Sequence, residues 1–496
     1  MIERYADPEI TRIWSNENKV KLWEETELAV IRAMVALKQL KEEDCTQIVT
    51  ALGAHPIDIQ WWLEKEKEMK HDLNAFVAER TRFLPSHLQQ YFHQKITSYD
   101  TEEPAFAMML VQSLDIVRSY SVKLIDLLAE MAKKYRFTVM NGRTHGQEAE
   151  LQTLGKRILT WLQDLVLDMS NLAQAKEKLQ YSKLSGAVGN YTGISPELEA
   201  EALKILGFKP YYGATQIMPR EIYAPTAQAL CQIVLTLDKI ATSIRLGARS
   251  GRPIFQEPFG KKQTGSSTMP HKKNTISTEQ IEGMARVAQG YLSMIMANIK
   301  TWEERAIEQS CVERIAWPDL FHVVVHSLKT MTRVLSGLVV YPDNMLLEII
   351  ESRGCYASSA AKEILKKLGE PHGLTVEECY RIIQLAAFNV FEPSKEIEEI
   401  RSNLSESLEG ADRIFVKFLQ IKAQKPISIR DIIAEGKLRT SVQLSATEED
   451  VKRWNEILKK IFESATIKAH WYQIFLPSNL LQNEQILYQK ILDVES

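Results

Sequence analysis

An all-α fold built around a bundle of long helices is predicted by three features of this 496-residue chain. Only 21 Gly and 17 Pro interrupt it, so helix breakers are scarce and elements run long. Several long stretches carry apolar residues at mixed three- and four-residue spacings, the pattern of an amphipathic helix. Strand signals are few and short, such as Phe137 to Met140.

Residues 16–42 read as a helix, with Val20, Leu22, Trp23, Leu28, Ile31, Met34, Leu37 and Leu40 on one face. Shorter helical pieces follow, punctuated by Gly53, Pro56 and Pro85. The clearest long helix covers 103–135, where Pro104 suits a first turn and Phe106, Met109, Leu110, Ile116, Val117, Leu124, Leu127 and Met131 make a stripe. Further long helices are expected over about 149–180, 222–250, 276–301 and 317–338. From Pro342 the elements shorten, with breaks at Gly354, Pro371, Gly373, Pro393 and Gly410. A charged helical stretch, Glu448 to Ala469, lies near the end, and no motif is found beyond about residue 440. Three domains are therefore expected: a small helical one over 1–96, a central long-helix bundle over 97–341 and a helical one over 342–496.

Composition narrows the function. Hydrophobic residues are 45% and charged residues 25%, as in a soluble globular protein. The formal net charge of −3 argues against a general nucleic-acid binder. The five cysteines are scattered and form no Cys-x-x-Cys pair, so free thiols in a reducing compartment are expected. The N-terminus lacks a basic region followed by an apolar run, and no apolar run reaches membrane-spanning length, so a cytoplasmic protein is expected. There is no phosphate-loop motif, and Gly186-Ala187-Val188-Gly189 has the wrong spacing for a dinucleotide fingerprint. No His-Glu-x-x-His and no Cys/His cluster is present, so no metal is expected.

Four stretches between the helices carry chemistry. The first is Gly265-Ser266-Ser267-Thr268-Met269-Pro270-His271-Lys272-Lys273-Asn274. Pro270 stops a helix, the glycines suit a loop that opens and closes, and serines, amides and lysines are what an anion site needs. The second, Gly142-Arg143-Thr144-His145-Gly146, sets a histidine able to transfer a proton near neutral pH between two glycines. The third is Lys70-His71-Asp72, an imidazole beside a carboxylate. The fourth, Thr97-Ser98-Tyr99-Asp100, either binds a carboxylate or caps the helix that follows.

The serine loop resembles the signature of the fumarase/aspartase superfamily, and the stretches together resemble the adenylosuccinate lyase family within it. The resemblance runs from Arg4-Tyr5 to about residue 390. It also takes in Ile13-Trp14-Ser15-Asn16-Glu17-Asn18-Lys19, Ser185 to Gly189, Thr215-Gln216 and Ser310 with Val312-Glu313-Arg314. It implies a three-domain helical fold and a homotetramer whose sites combine residues of several subunits. The implied reaction is β-elimination of fumarate from adenylosuccinate, giving AMP, and from succinyl-aminoimidazole-carboxamide ribotide, in purine biosynthesis and without a cofactor. It also implies roles. Ser266 is the base, His145 the acid and His71 its assistant, while Lys272 and Asn274 stabilise the carbanion's carboxylate. Asp72, Thr97, Ser98, Gln216, Ser267 and Met269 contact the substrate, and Arg4, Tyr5, Arg305, Ser310 and Arg314 hold its phosphate, for which arginine's planar fork is suited.

Departures from the family pattern cluster between Trp302 and Ser310, where two histidines and an aspartate of the pattern are gone and two glutamates, Glu303 and Glu308, bring carboxylates close to the phosphate arginines. Such charges would repel a dianionic substrate unless they point away or are paired. Gln94-Lys95, Glu148 and Thr275 are further departures. Two alternatives stay open at this level: a paralogue releasing fumarate from another succinyl-amine, and a non-catalytic relative.

Overall fold

The computed structural model describes residues 1–260, 263, 268–269, 271–392, 428–441 and 446–492. Ser266 and Ser267, and the expected breaks at Pro393 and Gly410, lie outside the described residues. The chain is all-α in character and divides into two compact units. Unit 1 comprises Met1–Leu128, Trp161–Arg249 and Phe255–Val339, and unit 2 comprises Ala129–Thr160, Ser250–Ile254 and Val340–Ser496. Among the described residues no helix is long and apolar enough to cross a membrane.

Unit 1 opens with α1 (Pro8–Ile13), whose N-terminal amides are capped by Asp7, and α2 (Asn16–Ala36), capped by Ser15. The second helix stops short of the expected residue 42 because Lys38 takes a left-handed turn, φ 61°. Helices α3 (Glu42–Gly53), α4 (Ile59–Met69) and α5 (Asp72–Thr81) complete the first layer. An aromatic cluster sits in its largely aliphatic core: Trp23 meets Trp62 edge-on at 6.0 Å and Phe76 at 5.5 Å.

Helix α6 (Ser98–Lys134) begins five residues before the expected start, so Pro104 sits in its interior and not in the first turn. The ring removes the amide that would bond the Asp100 carbonyl. Side-chain anchors on Asp100 and Glu103, described below, hold that turn. Then come α7 (Leu154–Lys178) and α8 (Pro196–Ile205). Helices α9 (Ala224–Gly247), α10 (Ile276–Ala297) and α11 (Glu308–Ser336) pack against one another as the expected bundle. Helix α11 starts at Glu308, well before the expected residue 317, and runs through Pro318.

Unit 2 corrects one expectation outright. The helix expected from 149 is preceded by a hairpin, β1 (Val139–Thr144) antiparallel to β2 (Gln147–Thr153), in register from Val139↔Thr153 to Thr144↔Gln147. Leu151 and Thr153 are buried while Glu150 and Gln152 are not, a period of two that no helix accommodates. Helices α12 (Pro342–Glu351), α13 (Ser358–Gly369), α14 (Val376–Phe391) and α15 (Ile429–Ala434) follow. The single helix expected over 448–469 is two, α16 (Glu448–Ile461) and α17 (Ala465–Ile474), because Ser464 caps a new start. Trp454, Leu458, Trp471 and Phe475 pack with Ile382 and Leu365 into the core of this unit.

Truncating Trp23 to alanine is expected to destabilise the protein by about 3–5 kcal/mol, because the core cannot close over so large a void. The shift of the urea unfolding midpoint checks this.

Candidate active site

The first turns of α6 carry Asp100, Glu102 and Glu103, and the site is organised by how each carboxyl group is satisfied. Asp100 Oδ2 accepts from the Thr97 amide at 2.8 Å, so the helix caps itself. Asp100 Oδ1 meets the ammonium of Lys183 at 2.6 Å and the Gly186 amide at 3.2 Å. Both side chains are fully buried. Lys183 also donates to the carbonyls of Gly186 (3.2 Å) and Gln216 (2.9 Å). One buried ion pair thus draws the 183–187 segment and Gln216 onto the start of α6.

Glu103 Oε1 accepts from Arg220 at 2.6 Å and from the Met218 amide at 3.1 Å, and Glu103 Oε2 accepts from the Tyr223 hydroxyl at 2.7 Å. Arg220 in turn grips Glu313 of α11 with two bonds, at 2.9 and 3.0 Å. Buried charges of this kind are costly unless every partner is present. Asp100→Ala, which strands the buried Lys183 ammonium, is expected to cost about 3–5 kcal/mol in chemical denaturation.

On this scaffold the expected ligands gather. Arg305 Nη1 donates to Gln216 Oε1 at 2.8 Å, and its guanidinium lies 3.9 Å from the ring centre of Tyr99. Gln216 Nε2 donates to the Ala187 carbonyl at 3.0 Å, and Gln309 holds the Tyr99 hydroxyl at 3.0 Å. Thr97 and Ser98, half-buried, sit at the adjoining helix start. Ser310 is in the first turn of α11, its hydroxyl donating to the Ile307 carbonyl at 2.8 Å.

A cavity of about 360 Å³ opens beside these residues, lined by Asp72, Ser310 and Arg314 together with Lys19, Glu102 and a wall of tryptophans. Arg314 Nη2 donates to Asp72 Oδ2 at 2.9 Å. Glu303 and Glu308 are exposed and line no part of it, so the added carboxylates do not oppose an anion there. His71 is the N-cap of α5; the Asn74 amide donates to its Nδ1 at 3.3 Å, which leaves the proton of the neutral ring on Nε2.

Glu102 has neither a short ion pair nor a cap. Burial first, then the neighbouring Asp72 charge, push its carboxyl up to about 8, so it is neutral at physiological pH. The folded value exceeds the ordinary 4.5, so the folded state binds the extra proton and Glu102 favours folding most below pH 4.5. That contribution is lost as pH rises towards about 8. Glu102→Gln is expected to flatten the fall in melting temperature across that window.

Other expected site residues lie elsewhere. His145 and Gly146 are the two central residues of the turn joining β1 to β2 in unit 2, with φ of 52° and 77°. Two positive values mark a type I′ hairpin turn, which holds the exposed imidazole at its tip. Tyr5 packs edge-on against His326 at 5.1 Å, with exposed Arg4 beside it. His326 and Arg314 are 12 residues apart on α11, roughly 18 Å at 1.5 Å per residue, so one chain does not bring Tyr5 to Arg314. Met269 and Lys272 are exposed and Asn274 is half-buried; none lines the cavity. Their segment leads into α10, whose first amides bond the buried Glu257 carboxylate, from Ser277 at 3.1 Å and Thr278 at 2.8 Å.

Sequence reasoning missed Lys183, Glu103, Arg220 and Glu102, gave Lys19 no role, and passed over His93. Glu27 holds the His93 ring at 2.8 Å and its amide at 3.0 Å, in a left-handed backbone, φ 58°. Burial disfavours the charged imidazole, but Glu27 outweighs it and the pKa is raised. A non-glycine residue held at positive φ is the structural mark, and no local pattern announces it.

A family model described as Lyase matches residues 7–290. The adenylosuccinate lyase of Synechocystis sp. is 35% identical over 387 residues, 78% of this chain and 88% of its own. That of Aquifex aeolicus is 36% identical over 399 residues, 80% of this chain and 90% of its own. That of Bacillus subtilis is 33% identical over 411 residues, 82% and 94%. Among solved structures, a fumarate lyase from Mesorhizobium sp. BNC1 is similar with a TM-score of 0.71 at 19% identity, over 96% of this chain and 99% of its own. A 3-carboxy-cis,cis-muconate lactonizing enzyme from Pseudomonas putida scores 0.70 at 18%, over 96% and 98%. At such identity these two carry the fold alone.

Proposed function

We infer the reaction from one premise: the chain belongs to the lyase family, among the adenylosuccinate lyases. It is a lyase that eliminates fumarate from adenylosuccinate, leaving AMP, and from the analogous succinyl-aminoimidazole-carboxamide ribotide of purine biosynthesis. The elimination breaks a C–N bond and needs two proton transfers. A base takes a proton from the carbon next to a succinyl carboxylate. An acid protonates the departing nitrogen, and a cationic or amide-rich environment stabilises the doubly charged carboxylate between these steps.

In this reading Arg305, Ser310 and Arg314 hold the nucleotide phosphate, with Thr97, Ser98 and Gln216 beside it. The observation that carries it is that Arg305, Gln216, Ser310 and the α6 start are drawn together by buried ion pairs, with Arg314 and Asp72 lining the adjoining cavity. Ser266 acts as base, His145 as acid and His71 as its assistant; Lys272 and Asn274 stabilise the intermediate. The proton on Nε2 of His71 and the exposed His145 ring at a fixed turn are compatible with hydrogen-bond and proton-transfer work.

The working form in this reading is a cytoplasmic homotetramer with shared sites. The separation of Tyr5 from Arg314 supports shared sites, because other copies must complete any site that uses both. Exposed Leu167, Leu246, Met294 and Ile315 on α7, α9, α10 and α11 offer apolar surface for that contact.

Fumarate release from adenylosuccinate, followed by absorbance, tests the reaction. Ser266→Ala and His145→Ala are each expected to lower kcat by at least about 100-fold while folding normally. Mixing the two inactive variants is expected to restore partial activity, since some reassembled sites receive both intact residues. No wild-type turnover would sink the substrate; no recovery on mixing would sink shared sites.

A further inference from the structure

Beyond the residues already assigned, the cavity of unit 1 holds a lysine that no role accounts for. We propose that Lys19 is a positioning residue for the phosphate end of the nucleotide: it neutralises Asp72, so that the Arg314 guanidinium can turn from that carboxylate to the phosphate. The inference rests on the reading above, in which Arg314 meets the phosphate.

Asp72 is fixed. Its Oδ1 accepts from the Leu73 amide at 2.9 Å, and its backbone carbonyl accepts from the Trp62 indole at 2.9 Å. Its Oδ2 faces two cations, Arg314 at 2.9 Å and Lys19 at 3.9 Å. The two differ in freedom. The Arg314 side chain is 60% exposed and reaches in from the surface of α11. The Lys19 side chain is 27% exposed, and its ammonium lies 4.8 and 4.9 Å from the ring centres of Trp23 and Trp62, which are themselves buried walls. Lys19 is therefore the stationary cation and Arg314 the movable one.

A dianionic phosphate arriving at Arg314 brings negative charge towards the Asp72 carboxylate. Without Lys19, releasing Arg314 would leave the Asp72 carboxylate, 12% exposed, without a counter-ion, a costly state. With Lys19 in place the carboxylate keeps a counter-ion throughout. Glu102, whose carboxyl burial and then the Asp72 charge push up to about 8, and Glu66 line the cavity as further acidic neighbours of Lys19.

The test is steady-state kinetics of the full-length protein with adenylosuccinate, wild type beside Lys19→Met and Lys19→Arg. Lys19→Met is expected to raise KM about tenfold, equivalent to about 1.4 kcal/mol, with kcat held within about twofold. Lys19→Arg, which keeps the charge, is expected to recover most of the affinity. A fallen melting temperature with an unchanged KM would mean that Lys19 only supports the core, and would overturn the proposal. If Lys19→Met does not fold, Lys19→Gln and the AMP dissociation constant by calorimetry give the same reading. Absence of wild-type turnover would mean instead that the substrate assignment fails, and this proposal with it.

Discussion

The first turns of α6 hold three carboxyl groups in a largely dry environment, and the rest of unit 1 is arranged around neutralising them. Each is met differently. Asp100 takes the Lys183 ammonium and two backbone amides. Glu103 takes Arg220, the Tyr223 hydroxyl and a backbone amide. Glu102, lacking a short ion pair, keeps its proton. A helix N-terminus favours negative charge through its exposed amides, which lowers the cost of concentrating acids there but does not remove it. The partners must come from elsewhere in the chain, and their backbones come with them.

Those partners explain the geometry of the candidate site. Lys183 brings the glycine-containing segment that follows it and the Gln216 strand of backbone. Arg220 links α6 to Glu313 on α11, one residue before Arg314. Arg305 is set between Gln216 and the face of Tyr99, itself a residue of the same α6 turn. The residues that contact a ligand in our reading are thus held by residues that need never touch it. Replacing one partner of a buried charge pair is far more damaging than replacing both, so the arrangement is rigid against single changes.

The active arrangement is also divided. His145, the acid in our reading, sits on a two-residue hairpin turn in unit 2, where both central positions have positive φ and the residue is exposed. The signature loop leads into α10 through a Glu257 cap. The cavity with its arginines is built by α2, α4, α5, α6 and α11 of unit 1. In our reading the acid and the phosphate clamp are thus carried by separately supported elements.

Much of this was legible from residues alone. Amphipathic spacing with few breakers announced the α9–α11 bundle, and the Gly-Ser-Ser loop, His145, His71 and the Arg305–Arg314 run carried the family. Local period and breaker chemistry are properties of neighbouring residues, so a sequence can display them directly. What it could not display are pairings across long separations. Asp100 with Lys183, Glu103 with Arg220 and Lys19 with Asp72 are ordinary surface-type charges when read one by one; only the fold makes the first two buried partners and brings the third pair together at the cavity. The hairpin at 139–153 escaped because a long helix follows it at once and its alternation is short. Pro104 reads locally as a first-turn residue of a helix starting at 103; α6 instead starts at Ser98 and carries the proline inside, where tertiary anchoring of its first turns offsets the lost amide. By itself, then, the sequence determined most of the long helices and the family whose chemistry the chain carries. The tertiary structure alone decided which charges meet, because the energy of a buried ion pair depends on who is near and how little water remains.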